Sequence, residues 1–533
     1  MSTIPTSIQT RSLPLMTLQL LRRTWVLAAV TLTVACNPLD VTNPNAPDAE
    51  RALTDPAAIE AIAGGTIRSF YNTYNGLEAV GPLTAQAESH TASWNNFNMN
   101  FYSSLDGDGT RNTRGWRNDP SASARTSIEH FWQGYYSTAS SARDVLVAIR
   151  INNVEFDSES DTRRAEAIAE LMLGASLGQI ALNYDKGYFI DETVDLLTLQ
   201  YFDRAALRDS AVAKLQSAAA LATANAFVTP ASWTNGNSYS NTQIAQLANT
   251  LAAMTLAYWP RNDTENAEVD WSAVAGFAAA GMTYDFVVVG DGCDAFCPQM
   301  QSWTNDIFGI RVHTRVANLL DPVTQADPFP DTLNTQPNSV DARLGDGSFG
   351  TVGMEEDYGT VASTVNAGSD FAWSSYEAFF PARGQYHQSN IAHIRWDESG
   401  TQDLNSIYSG YGPVPLVMRA QNDLIRAEAL IRSGGSLTTA ATLINNTRVT
   451  RGNLSVASAG DGAVTLKQYL DYENEIELLS QGASTFYNRR RVPNGLIAGT
   501  PREMPVPAKE LGVKLEPLYT FGGTGLPNSP TPP

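Results

Sequence analysis

The sequence predicts a mostly α-helical protein, and three observations predict it. Long stretches carry apolar residues at helical spacing, those stretches are rich in alanine and other small residues, and the part without such stripes is confined to the middle of the chain. The folded body opens at Asp55-Pro56, a capping side chain followed by proline at the first helical position. Ile59, Ile62, Ile67 and Phe70 follow at roughly helical spacing. "FWQGYYSTASSARDVLVAIR" places Tyr135, Ala139, Ala142, Val145 and Ile149 on one stripe. "DTRRAEAIAELMLGASLGQIALNY", "FDRAALRDSAVAKLQSAAALATANA" and "NTQIAQLANTLAAMTLAYWP" are three more helical segments. Near the C-terminus "NDLIRAEALIRSGG" ends in a glycine stop, and "LTTAATLINNTRVTRG" begins the second arm of a helical hairpin.

Paired helices rich in small residues let backbones approach closely. That is the logic of tetratricopeptide-like packing, whose unit is about 34 residues. The spacing here is irregular, so helix pairs inside a larger fold are expected, not a clean solenoid. From Tyr284 to Pro415 helical stripes are few. "YDFVVV" is strand-like, and "DPFPDTLNTQPNSVDARLGDGSFG" is a long loop rich in Pro, Gly, Asn and Asp. Loops of that length in a compact protein are usually functional or disordered.

The N-terminus has the three parts of an export signal: basic Arg22 and Arg23, an apolar run Trp25–Val34, and small Ala35 before Cys36. The run is about half the length needed to span a bilayer, which takes roughly 20 residues. "LTVAC" resembles the bacterial lipobox, which implies a Cys36 thiol linked to diacylglycerol and an acylated (palmitate-type) amine. An ordinary secretory signal with a free Cys36 is the alternative. Residues 1–35 are then a lipoprotein signal peptide, with Met1 or Met16 as the start. Residues 36–54, with Pro38, Pro44 and Pro47, are a semi-extended tether, and 55–533 are the folded body, a single domain.

The chain carries a net charge of −20, and losing residues 1–35 with their three arginines takes it to −23. Nucleic-acid partners are excluded, because phosphate neutralisation needs clustered Lys and Arg. No further run of 18 apolar residues is expected. Beyond Cys36 the cysteines are Cys293 and Cys297 in "GDGCDAFCPQM". Outside the cytoplasm so close a pair can form a disulfide; free thiols and a metal site are the alternatives. Zinc needs four ligands, and the nearest histidine, His313, is 16 residues on.

Catalytic signals are weak. "GASLG" matches a nucleophile elbow in letters but lies in a helical pattern, where an elbow needs a strand before it. "DGDGTRNTRGWR" starts like a calcium loop at Asp106 and Asp108, but Arg111 and Arg117 stand where glycine and glutamate are required. No metal, cofactor or catalytic group is assigned.

"NDLIRAEALIRSG", "LINNTRVTRG", "YLDYENEIELLSQGASTFYNRRR" and "REMPVPAKEL" form an ordered C-terminal series. It resembles the SusD/RagB family of nutrient-binding outer-membrane lipoproteins. In that family an L-R-x-A-E-A-L helix, an N-x-x-R-x-R-x-G helix end, an acidic E-x-E-L-x-x-E-G helix and a P-I-P-x-x-E-L stretch follow in that order. The departures are Gln481-Gly482 for E-G, Ala483 and Ser484 after it, and Tyr487-Asn488 before the arginines. They put local packing in question. Glu473, Glu475 and Glu477 are expected to pair with Arg489–Arg491, and Tyr469, Tyr472, Ile476 and Leu479 to form a buried stripe.

The resemblance implies a SusD-like fold: tetratricopeptide-like helix pairs as scaffold, with long irregular loops and a few short strands carrying the site. It implies a non-enzymatic protein, anchored by lipid on the outside of the outer membrane. There it captures oligosaccharides for a TonB-dependent barrel transporter of the SusC type. A peptide or other non-glycan ligand, or a lipid-anchored hydrolase, are the competing readings. A sugar's C–H faces suit an aromatic platform with polar neighbours. Trp132, Trp259 and Trp271 lie on or beside helical stripes, as core. Trp94, Trp303 and Trp373 lie in polar, loop-like surroundings, packed or displayed. As a set they are the candidate ligand contacts, with Asn95, Asn96, Asn305, Asp306 and Tyr376 as hydrogen-bonding neighbours.

Overall fold

Helix α1 (Pro56–Tyr74) starts where the sequence places it, with Asp55 accepting from the Ala57 amide and Pro56 in the first turn. The computed structural model describes residues 53–93, 96–103, 114–304, 310–325, 335–345, 368–373, 386–396 and 410–529. The chain divides into two compact units, 1–52 and 53–533, and the described residues belong to the second.

After α1 come α2 (Leu77–Gln86), strand β1 (His90–Thr91), α3 (Met99–Tyr102), α4 (Thr126–Leu146) and α5 (Glu159–Asn183). The hairpin β2 (Lys186–Tyr188) and β3 (Tyr201–Asp203) leads into α6 (Arg204–Ala224) and α7 (Asn241–Tyr258). Helix α5 packs between α4 and α6, and α6 packs on α7. Small residues make this possible. A Cβ on Gly174 would sit 2.9 Å from the Leu215 side chain, and one on Gly178 would sit 2.9 Å from Thr255 Oγ1. "GASLG" is therefore a helix-packing surface, with Ser176 buried. By length and mean hydropathy α5 is apolar enough to cross a membrane, although it holds no unbroken run of 18 apolar residues, and its most apolar stretch is wholly buried in the scaffold.

The scaffold continues with α8 (Asp263–Ala267) and α9 (Trp271–Ala279), then strand β4 (Phe286–Asp291). Next come α10 (Gln299–Thr304), β5 (Arg311–Val312), α11 (Thr314–Leu320), β6 (Phe371–Trp373), β7 (Ile391–His393) and β8 (Tyr411–Val417). β8 pairs antiparallel with β4, Phe286 opposite Val417 and Asp291 opposite Tyr411. The helix-poor middle of the chain thus leaves and returns through one two-stranded ladder. Just beyond β4, Cys293 and Cys297 form a disulfide, and the Cys297 amide donates to Asn72 Oδ1 of α1 at 2.9 Å. The last helices are α12 (Arg419–Arg432), α13 (Leu437–Arg448), α14 (Gly462–Ile476), α15 (Ser484–Arg490) and α16 (Ala508–Val513). Helices α12 and α13 pack as the expected hairpin, with α14 against both.

The charged C-terminal motifs differ from expectation. Only the pair Glu475–Arg489, at 3.4 Å, forms as predicted. Arg490 instead donates to the carbonyls of Leu182 and Tyr258 at 2.8 Å, satisfying the last turns of α5 and α7. Arg491 reaches Glu428 of α12 at 2.5 Å. Glu473 and Glu477 turn the other way, onto Arg343, whose guanidinium also holds Asp341 at 2.8 Å. Glu477 and Asp370 are shared further with Arg395 and Arg451. Residues four apart in sequence share a helix face, so 473 and 477 point together and 475 away from them. Ile476 and Leu479 are buried, while Tyr469 and Tyr472 pack partly exposed. The departures in the acidic motif are accommodated. Gln481 donates to the Pro415 carbonyl at 2.9 Å. Gly482 has φ of 51°, and a Cβ there would strike the Tyr74 ring at 2.4 Å.

Arg343 is 0% exposed, as are Asp341 and Glu473 beside it. Removing one member of such a set strands the others in a medium that cannot solvate them. Arg343→Met is expected to cost roughly 3–5 kcal/mol, whereas breaking the surface pair Lys467–Asp471 with Lys467→Ala is expected to cost under about 1 kcal/mol. Guanidinium denaturation at pH 7 measures both; equal losses would contradict this account.

Candidate ligand-binding site

The strands that flank the separate stretches nominated for ligand contact meet in one small patch. β1 and β5 pair antiparallel, His90 opposite Val312 and Thr91 opposite Arg311. The chain running on from β1 toward Trp94 and the chain entering β5 from Asp306 therefore leave the same end of that pair. β6 and β7 pair antiparallel, Trp373 opposite Ile391. An isolated bridge between His313 and Gln388 joins the two pairs. The Ser389 amide adds a bond to the Val312 carbonyl at 3.1 Å, and Thr91 Oγ1 donates to the Tyr386 carbonyl at 2.6 Å.

Trp94, Asn95, Asn305, Asp306, Tyr376 and Cys36 lie outside the described residues, as does the side chain of Asn96. Trp303 is half-buried on α10, edge-on to Phe97 with ring centroids 5.5 Å apart. Trp373 corrects an expectation. It is not in a polar loop but in strand β6, 8% exposed, among Val312, Val316, Leu344, Ile391 and Leu479. Burial of neighbours from β5, α11 and α14 overrode the polar local sequence. Trp132 and Trp271 are buried. Trp259 is half-buried, with the Arg204 and Arg208 guanidiniums 3.8 and 4.3 Å from its ring centre.

Two features of the patch have no signature in the sequence. The first is backbone strain. Glu88, Phe97, Asn98, Tyr386, His387 and Ser480 all have positive φ. Asparagine tolerates that region, but Glu, Phe, Tyr, His and Ser do so at a cost, and such residues cluster at ligand sites and clamps. The second is histidine. Of the five in the chain, His90, His313, His387 and His393 are all buried here. Ser480 Oγ lies 2.9 Å from His393 Nδ1 and 3.2 Å from His90 Nε2. The His313 and His387 rings stack at 5.2 Å. Among the described residues no group of three or more His, Cys, Asp or Glu side chains is arranged to hold a metal. Two clefts on the scaffold, about 320 and 230 Å³, are lined largely by charged groups such as Glu166 and Asp161 that are already paired.

The histidines make the patch acid-sensitive. Burial pushes His90 well below its ordinary value, and His393 adds to the shift. Burial pushes His393 down to about 3; Asp370 opposes this, and Arg395 and Arg451 reinforce it. Between the ordinary value of 6.5 and about 3, the unfolded chain takes up a proton here that the folded chain refuses. Stability therefore falls as pH falls through that window and is untouched by this group above it. His393 alone is expected to remove about 2 kcal/mol by pH 5. Carboxylates act lower. Burial raises Glu428, but Arg491, Lys467 and Arg432 outweigh it and hold it at about 2, so its stabilisation is lost only as pH drops below the ordinary carboxylate range. Urea midpoints at pH 7 and 5 test this: the wild type should weaken, and His393→Gln should show a flatter dependence. The tryptophans divide likewise. Trp373→Ala should cost about 3–5 kcal/mol of stability, while Trp303→Ala should cost less and weaken ligand binding. Melts and calorimetric titrations on the two variants would refute this if the order were reversed.

No protein-family profile matches the chain, and no match is found among the curated proteins. Solved structures do match. A SusD superfamily protein from Bacteroides vulgatus ATCC 8482 aligns at a TM-score of 0.52 and 14% identity, over 86% of this chain and 97% of its own. A SusD-like carbohydrate-binding protein from Bacteroides fragilis NCTC 9343 aligns at 0.54 and 12% identity, over 82% and 86%. A SusD homologue from Bacteroides thetaiotaomicron VPI-5482 aligns at 0.51 and 13% identity, over 88% and 97%. The chain has the SusD-type fold, as the C-terminal motifs imply.

Proposed function

We propose, with the SusD-type fold as premise, that this chain is a SusD/RagB-type binding protein that captures oligosaccharides without transforming them. The observation that carries the reading is that the strands flanking the aromatic, amide-rich stretches meet in one strained patch held by a helical scaffold. A neighbour of the same fold is a carbohydrate-binding protein, which supports the ligand class. The lipobox-like sequence before the body supports a lipid on Cys36; the resemblance to the SusD/RagB family supports attachment to the outer face of the outer membrane and delivery of the captured sugar to a TonB-dependent transporter.

Each part has its own test. The purified protein should bind members of an oligosaccharide array and leave them uncleaved. Retention of peptides alone would replace the ligand class, and release of shorter sugars would replace the non-enzymatic reading. In cells the wild type should incorporate a labelled fatty acid and fractionate with membranes, and Cys36→Ser should abolish both; a wild type without label refutes the anchor.

A further inference from the structure

We propose that the ligand is an acidic saccharide, recognised through a carboxylate or sulfate by Arg114 and Arg117 beside Phe101; this rests on the oligosaccharide-binding reading. In a chain of net charge −20, two exposed guanidiniums stand over one half-buried aromatic ring. Arg114 lies 4.7 Å and Arg117 5.4 Å from the Phe101 ring centre. The two cations are thus no more than roughly 10 Å apart, close enough to act together on one sugar unit. Among the described residues neither guanidinium has a carboxylate within ion-pair distance. The nearest acid in sequence, Asp119, accepts from the Ser121 amide and hydroxyl at 2.8 Å each, which with a smaller pull from Arg117 lowers its carboxyl; it lies beyond ion-pair distance of Arg117, which it neutralises only in part.

The pair is held in place by what lies between it. Trp116 is buried against Tyr102, ring centres 4.8 Å apart. Its Nε1 donates to the Glu503 carbonyl at 2.7 Å, and its amide to the Phe521 carbonyl at 3.0 Å. The Arg117 amide donates to the Tyr102 hydroxyl at 3.3 Å. Gly115 lies so close to the C-terminal segment that a Cβ would sit 2.2 Å from the Gly522 carbonyl. The buried anchor fixes the backbone from which the two cations project, one on either side of it. A guanidinium whose face rests on an aromatic ring keeps its N–H edge open, and that edge matches a carboxylate or sulfate in a bidentate manner. Phe101 is two residues beyond Met99 on the segment that carries Phe97, the partner of Trp303. The cations therefore adjoin the candidate site.

The test uses the full mature protein and calorimetry with matched probes: an oligogalacturonide and its methyl ester, and a sulfated oligosaccharide and its desulfated form. The expected result is that a free-acid or sulfated probe binds at least tenfold tighter than its neutral counterpart. The preference should shrink between 20 and 300 mM salt. R114Q/R117Q should lose it while keeping its melting temperature, and R114K/R117K, which keeps charge but not the fork, should fall between. Equal binding of charged and neutral probes, binding of neutral probes alone, or an unchanged preference in R114Q/R117Q would overturn the proposal and leave oligosaccharide binding standing. If no saccharide binds here or on the array, oligosaccharide binding falls and the proposal with it.

Discussion

A buried cluster of opposite charges holds the strand-bearing part of this protein, where the candidate site lies, to its scaffold. Arg343 sits on the segment 335–345, Asp370 just before β6, Arg395 just after β7, and Arg451 just after α13; Glu473 on α14 and Glu477 at its C-terminal cap bind them together. Charges taken from water are tolerated only when each finds its partner in good geometry. Burial pushes the Glu473 carboxyl up, against the pull of Arg343; at Asp370 burial acts the same way but Arg395 and Arg451 prevail and lower it. Every participant must therefore be in place at once. Apolar packing alone would let segments so poor in secondary structure slide; a guanidinium shared by three carboxylates does not.

That constraint explains how so little regular structure supports the candidate site. β1, β5, β6 and β7 are two or three residues long, too short to be stable alone. They are kept by the ion cluster on one side and by the β4–β8 ladder, through which the whole excursion enters and leaves, on the other. The strained residues Phe97, Tyr386 and His387 persist because their surroundings over-determine them. The helices contribute shape. Alanine- and glycine-rich α5 allows α4, α6 and α7 to close around it, and buried arginines complete the carbonyl ends of α5 and α7.

Local physics was legible in the sequence, and long-range pairing was not. Asp55-Pro56 announces a helix because capping is a matter of two adjacent residues. The α12–α13 hairpin and the strand "YDFVVV" follow from periodicity and β-branching, and the bracket from Tyr284 to Pro415 nearly coincides with the excursion between β4 and β8. The arginine partners were misassigned because Arg343 is 130 residues from Glu473, and nothing in either neighbourhood points to the other. Trp373 reads as a loop residue because its burial is supplied by α11 and α14. The histidine group is invisible for the same reason: its members come from three stretches with no ligand-like spacing.

The docking of residues 502–529 has a consequence for the wall they complete. Residues 502–529 run back to the front of the molecule, where Phe521 receives the Trp116 amide and Asn118 bonds the carbonyls of Val506 and Tyr519. Segments nearly four hundred positions apart thus complete one another. The wall that carries Phe101, Arg114 and Arg117 is therefore complete only when residues 502–529 are docked on it. Joining segments so distant carries the entropy of a very long loop, so local opening of 502–529 would release the backing of both arginines at once.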